Sequence, residues 1–364
     1  MPAGVHDPAT PSGGNAYDRR VCAELPRLGL RVDERTVAGD WPRPDAAALA
    51  ELARVLRESP DGSLVLMDGL VACAAPEVIV PEAESGRLRL AVLVHLPLAD
   101  ETGLDPADAA ALDAAERRTL RAVPAVVATS GWAAERLVGH HGLDRRRVHV
   151  ATPGADPAPP SRGSAGTATE AAPRLVCVAS VTPRKGQYEL VEALAAVADL
   201  PWGCDCVGGL GQDPAYVSRL RALIAELGLT DRVRLVGPRP PGPELDAYYD
   251  SADLLVLASH AETYGMVATE ALARGIPVLA TAVGGLPEAV GRAPDGDVPG
   301  VLVPPDDRTA LTAALRHWLG DPGERHRARS AAHGRRAALT GWDATARGVA
   351  AALDRLGEDS REAA

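Results

Sequence analysis

Residues 254–288 read LLVLASHAETYGMVATEALARGIPVLATAVGGLPE. Leu254 to Leu257 form a short apolar run without alternation, the pattern of a strand covered on both faces. A polar loop follows and carries Glu262. A helix is expected from about Gly265 to Arg274, because Gly275 and Pro277 bar its continuation. A second apolar run, Val278–Thr281, comes directly after. Strand, crossover helix and strand in so short a span form the unit of a parallel sheet.

The same alternation extends in both directions. Upstream candidate strands are Leu64–Met67, Leu88–His95, Ala125–Thr129 and Val148–Thr152, with helices over Tyr17–Leu30, Asp45–Arg57, Ala107–Arg121 and Trp132–His140. Near the quoted block they are Leu175–Val181, Asp205–Gly208, Val233–Val236 and Gly300–Val303, with helices over Gln187–Ala198 and Ala215–Leu227. Between these groups, residues 157–172 are rich in Pro, Gly, Ser, Ala and Thr with no apolar period, which predicts a flexible linker. The reading is α/β, two doubly wound domains over 1–156 and 173–335, with a final helical segment over 336–364 packing back toward the first domain. A ligand is expected in a cleft at the carboxyl ends of the strands. The first domain lacks an obvious opening strand, since residues 1–10, MPAGVHDPAT, are a poor one.

Composition narrows the function. The chain has 364 residues, enough for two cores, and a net charge of −11. That charge argues against nucleic acid as a partner. Residues 1–160 hold 17 Arg and no Lys against 23 Asp and Glu, a balance that an anionic membrane surface repels. No run approaches the ~18–20 apolar residues of a membrane span, and residues 1–10 show no export signal. Five scattered cysteines, with no CxxC pair, fit reduced thiols in the cytoplasm and no zinc site. Arg outnumbers Lys 37 to 1, which sets Lys185 apart.

Four stretches could carry chemistry. In the quoted block, amides at the helix start and Glu262 and Glu270 could hold a polar ligand; two Glu on a solvated face is the plainer reading of that spacing. Arg184-Lys185-Gly186 follows the strand after the linker and opens a helix, a place for two cations beside a diphosphate or for a basic surface turn. Pro11-Ser12-Gly13-Gly14-Asn15 reads as a glycine loop feeding the helix from Tyr17, open to close approach of a ligand or simply a turn. His95 ends an apolar run; it faces the cleft or is a satisfied core histidine. Asp295-Gly296-Asp297 has the form DxD but lies in a Gly/Pro loop, and reads as a turn.

Together these segments resemble the family 4 retaining glycosyltransferases of the GT-B fold, of the actinobacterial type. The family's E-x7-E matches Glu262 and Glu270, and its following glycine-proline block matches Gly275 through Glu288. Its lysine-glycine matches Lys185-Gly186, its glycine-rich loop Gly13-Gly14, and its strand-end histidine His95. The likeness spans residues 11 to about 345, and the block 254–288 carries most of it. The resemblance implies two Rossmann-like domains with a cleft between them, the second holding a UDP-sugar or GDP-sugar donor and the first a small soluble acceptor. His95, Lys185 and Glu262 would be catalytic. Gly13, Gly14, Asn15, Arg184, Lys185, Pro238, Arg239, Thr263, Tyr264, Gly265, Met266, Val267 and Glu270 would bind the donor. No metal and no cofactor is expected; the nucleotide sugar is a co-substrate. One departure is Ala179-Ser180, where the family carries Gly-Arg. With the missing opening strand, it motivates one alternative, a nucleotide-sugar-binding protein with little or no turnover; a sugar epimerase or phosphorylase on the same fold is a second, which the E-x7-E helix disfavours.

Overall fold

The computed structural model describes residues 1–6, 12–101, 103–164 and 172–362, with side chains as far as Leu356. The chain divides into two compact units.

The first unit runs to Gly154 and recovers the chain from Trp342 onward. Its sheet has four parallel strands, β1 (Leu64–Asp68), β2 (Arg89–Val94), β3 (Ala125–Ala128) and β4 (Val148–Val150), in the order β1-β2-β3-β4. Helices α1 (Gly13–Glu24), α2 (Ala46–Glu58), α3 (Gly69–Ala72), α4 (Pro76–Ser85), α5 (Pro106–Ala122) and α6 (Gly131–His141) alternate with them. Polar caps set several starts: Asp45, Asp105 and Ser130 each accept a first-turn amide. Leu90, Val92 and Val94 of β2 join one core with Leu52 of α2 and Ile79 of α4.

The second unit carries β5 (Arg174–Val178), α7 (Gln187–Ala195), β6 (Gly203–Val207), α8 (Pro214–Glu226), β7 (Val233–Gly237), α9 (Pro243–Asp250) and β8 (Leu254–Leu257). It continues through α10 (Met266–Ala273), β9 (Val278–Thr281), α11 (Leu286–Val290), β10 (Gly300–Val303), α12 (Arg308–Gly320) and α13 (Pro322–Arg336). All six strands are parallel, in the order β10-β9-β8-β5-β6-β7. Alternate residues enter opposite cores: Leu254 and Val256 on one side, Leu255 and Leu257 on the other. This is why the apolar runs show no alternation.

Helix α14 (Trp342–Glu362) belongs to the first unit. Its Ala346, Val349 and Leu353 are buried at helical spacing. A Cβ on its Gly348 would stand 3.2 Å from Ala151, just past β4.

Three expectations need correction. The helix expected from Tyr17 begins at Gly13, because the Ser12 hydroxyl caps it by accepting the Asn15 amide at 3.0 Å. The linker reading of 157–172 fails for its first half, while 165–171 lie outside the described residues. Ser161 Oγ donates to Asp250 O and Ala252 O at 3.0 and 2.8 Å, and the Ser164 amide donates to Asp253 at 3.1 Å. That stretch is docked on the second unit. The final helix begins at Trp342, since α13 continues through Arg336. As the poor strand character of residues 1–10 suggests, no strand precedes α1 among the described residues; Pro2 makes an isolated parallel bridge to Val37.

Candidate functional site

In the second sheet the strand order reverses between β5 and β8, which lie side by side. Loops leaving their carboxyl ends diverge there, and such a switch point is where parallel α/β sheets hold ligands. Here the loops interlock. Gly186 has φ +64°, and a Cβ on it would sit 1.9 Å from Ala258 O. The His260 amide donates to Arg184 O at 2.8 Å, and Arg184 Nη1 donates to Ala261 O at 3.2 Å. After β9, the Gly285 amide donates to Glu262 O at 3.0 Å, and a Cβ on Gly284, at φ +55°, would stand 1.7 Å from that oxygen. Only glycine lets the three backbones meet so closely.

The interlock brings Lys185 onto Glu262. Lys185 Nζ donates to Glu262 Oε1, and Ser259 Oγ donates to the same oxygen at 3.1 Å. Glu262 is buried, and the Lys185 side chain is 16 % exposed. In so dry a place an ammonium interacts strongly with any anion that arrives. Glu262 lies in the loop, not on a solvated helix face.

Gly265, at φ +96°, caps α10 without offering a side-chain acceptor. Thr263, Tyr264, Gly265, Met266 and Val267 therefore form the strand-to-helix approach that the sequence suggests. Within α10, Glu270 Oε2 accepts the Tyr249 hydroxyl at 2.7 Å. The Arg274 guanidinium lies 4.6 Å from the Tyr249 ring centre. Burial raises the Glu270 pKa, against the Tyr249 hydrogen bond and the Arg274 charge.

Pro238 and Arg239 follow β7, and Arg239 Nη1 donates to Pro238 O at 2.8 Å. The loops after β5, β6 and β7 are stitched together. Ala179 N donates to Val207 O, and Gly208 N to Gly237 O, both at 3.0 Å. The Ser180 carbonyl accepts Gln187 Nε2 at 2.9 Å.

The first unit holds its own cluster. Gly13, Gly14 and Asn15 form the first turn of α1 and have helical backbone rather than a positive-φ loop. Gly14 matters for another reason: a Cβ there would stand 3.1 Å from His95 Cδ2. Asn15 Nδ2 points to Gly4 O at 3.5 Å. His95 Nε2 lies 2.7 Å from Asp18 Oδ1, and its ring meets Tyr17 edge-on at 5.1 Å. Burial disfavours the imidazolium, yet the charge and hydrogen bond of Asp18, with Asp68 behind, raise the His95 pKa overall. Burial also raises the Asp68 carboxyl. No spacing singles out Asp18 or Asp68; the one signal in the chain is an Asp at the carboxyl end of a parallel strand, as Asp68 is.

Two groups among the described residues bring possible metal ligands within 4.8 Å: Asp18, Asp68 and His95, and Asp113, His140 and His141. The DxD stretch belongs to neither; the Asp297 amide closes a turn on Asp295 Oδ1 at 3.1 Å. No helix among the described residues is long and apolar enough to cross a membrane.

Comparison with known proteins agrees with this fold. The chain is similar to a sucrose-phosphate synthase of Thermosynechococcus elongatus, with TM-score 0.75 and 22 % identity over 98 % of each chain. It is also similar to Anabaena Alr3699/HepE, solved with UDP and glucose, with TM-score 0.74 and 20 % identity over 95 % of this chain and 97 % of that one. Two parallel-sheet units of this kind define the GT-B class of fold. The profile for glycosyl transferases group 1 matches residues 165–335. A D-inositol 3-phosphate glycosyltransferase of Nocardia farcinica is 33 % identical, covering 93 % of this chain and 83 % of its own. The chain belongs to the group 1 glycosyltransferases. A Xylanimonas cellulosilytica protein named for the same activity is 39 % identical over 66 % of this chain and 58 % of its own length. The chain thus spans well under two thirds of that relative.

Proposed function

We propose that this chain transfers a glycosyl group from a nucleoside-diphosphate sugar to a hydroxyl of a small soluble acceptor, with retention of configuration and without a metal. The observation that carries this reading is the contact of Lys185 with Glu262 at the switch point of the second sheet. Lys185 and Arg184 would hold the diphosphate together with the amides of Thr263 to Val267. Glu270 would take the ribose hydroxyls, and Glu262 would meet the transferred sugar. The anomeric carbon–oxygen bond to the diphosphate breaks, and a bond to the acceptor oxygen forms on the same face. The acceptor proton passes to the departing diphosphate. Lys185 stabilises the charge that builds there.

The relatives named for D-inositol 3-phosphate and the neighbour solved with UDP and glucose make a polyol phosphate and a UDP-sugar the first pair to offer. A cytoplasmic setting follows from such soluble substrates. Radiolabelled transfer to an acceptor panel, with and without a chelator, tests the proposal. Tight nucleotide binding with no transfer to any acceptor would favour the binding-only alternative, which Ser180 in the arginine's place keeps alive.

A further inference from the structure

Helices α5 and α6 of the first unit meet over a cluster of groups that the proposed transfer does not use. Asp113 and Glu116 lie three residues apart on one face of α5. His140 and His141 are the last two residues of α6, before Gly142 turns the chain at φ +65°. One carboxylate meets each imidazole: His140 Nε2 contacts Asp113 Oδ1, and His141 Nε2 lies 3.1 Å from Glu116 Oε2. The two rings meet edge-on, with their centres 4.7 Å apart.

The side chains of His141 and Glu116 are each only 1 % exposed. Glu116 Oε1 also accepts the Leu98 amide at 3.4 Å, so this carboxylate is held from two sides, and His141 Nε2 carries the proton that it accepts. That tautomer leaves the ring's lone pair on Nδ1. His141 Nδ1 is buried and has no hydrogen-bond partner, which is rare for a buried polar atom. A carboxylate behind one ring nitrogen, with the other nitrogen free, is how proteins present histidine to a metal ion.

The free nitrogen has company. Asp113, His140 and His141 line one hollow of about 290 Å³, and a ligand atom from each lies within 4.8 Å of the other two. Ligand atoms around a tetrahedral zinc ion stand about 3.3 Å apart, given bonds of ~2.0–2.1 Å. The half-exposed His140 ring has the freedom to close that difference. Arg117 Nη2 holds Asp113 Oδ2 at 3.0 Å, which leaves Oδ1 on the His140 side. Arg136, also lining the hollow, is already paired with Asp100 at 2.9 Å. The carbonyl end of α6 adds a field that favours a cation.

We propose that Asp113 Oδ1, His140 Nε2 and His141 Nδ1 hold a divalent transition-metal ion of the zinc class, with a water from the hollow as fourth ligand. The ion stands where His140 Nε2 and Asp113 Oδ1 now share a proton. It takes a lone pair from each, and that proton moves to His140 Nδ1. Two imidazoles and one carboxylate suit zinc and suit magnesium poorly. The bound ion clips α5 to α6. The inference concerns the first unit alone and does not depend on the proposed transfer.

The test titrates zinc chloride into the full chain by calorimetry. Every form carries Cys22→Ser, because the other four cysteines are buried and Cys22 is not. A dissociation constant of about 100 μM or tighter, unaffected by excess magnesium, supports the proposal; weaker binding overturns it. His140→Ala and Asp113→Asn, both at partly exposed side chains, should each weaken zinc about 100-fold or more, since even a group behind a ligand costs 10–100-fold. Unchanged affinity in either variant overturns the proposal, because the ion then sits elsewhere. Imidazole NMR signals locate it independently: those of His140 and His141 should move with zinc while that of His95 stays, and shifts confined to other histidines overturn the assignment.

Discussion

The ammonium of Lys185 rests on the carboxylate of Glu262, 77 residues further along the chain, and the Ser259 hydroxyl shares the same oxygen. The pair lies where two neighbouring parallel strands send their crossovers in opposite directions. A diphosphate arriving there would compete with Glu262 for the lysine, leaving the carboxylate free to meet the sugar.

Lys185→Ala should therefore lower transfer about 10²–10³-fold in kcat, the cost of losing one aligned donor to developing negative charge. Glu262→Gln should cut transfer while nucleotide affinity stays within a few-fold of the parent. Steady-state kinetics beside nucleotide calorimetry separates the two. Unchanged kcat in both variants would overturn the assigned site.

Glu270→Gln should act differently. It keeps the shape of α10 but replaces a charged acceptor with an amide, and hydrogen bonds to charged groups contribute about 1.5–3 kcal/mol. Nucleoside diphosphate affinity should fall roughly 10–100-fold, while inorganic diphosphate binds as before. Calorimetry with the two ligands checks this.

Gly284→Ala should cost at least about 2 kcal/mol of stability, because the added methyl meets Glu262 O at 1.7 Å on a positive-φ backbone. Gly209→Ala, with open space around its Cβ, should stay within about 0.5 kcal/mol of the parent. Urea unfolding of both variants measures the contrast.

His95 makes stability depend on pH. Its pKa is raised in the folded chain. The stabilisation is complete below the unfolded value of about 6.5 and fades as pH rises through the folded value. Asp18→Asn removes the partner charge, so the gap in stability between parent and variant should narrow from pH 6 upward. Asp68, whose carboxyl is also raised, acts in the same direction at lower pH. Unfolding midpoints between pH 5 and 9 show the trend, and a gap that does not vary with pH would contradict it.

Much of the fold is legible in the amino-acid sequence, and the reason is physical. Strands covered on both faces must be continuously apolar, so Leu254–Leu257 and Val278–Thr281 stand out from their polar surroundings. Glycines that meet a carbonyl, such as Gly186 and Gly284, have few substitutes. Where composition and hydrogen bonding part company, the reading fails. Residues 157–164 have a linker's composition, but the Ser161 and Ser164 bonds to α9 and its flank depend on distant partners. Gly13 and Gly14 look like a loop because glycine disfavours helix, yet Ser12 caps them and the His95 ring needs the room. Asp18 looks like one more charge on a helix; its burial depends on His95, 77 residues away.

Helix α14 returns to the first unit after the whole second unit has been threaded between. On the ribosome, at about 5–20 residues per second, the segment separating Gly154 from Trp342 takes roughly 10–40 s to emerge. For that interval Ala151 and the Tyr17 ring lack Gly348 and Trp342 as neighbours. The nascent lobe must wait, incompletely clothed, for its last helix, and a gene cut after the glycine that ends the first segment would encode a lobe that never closes.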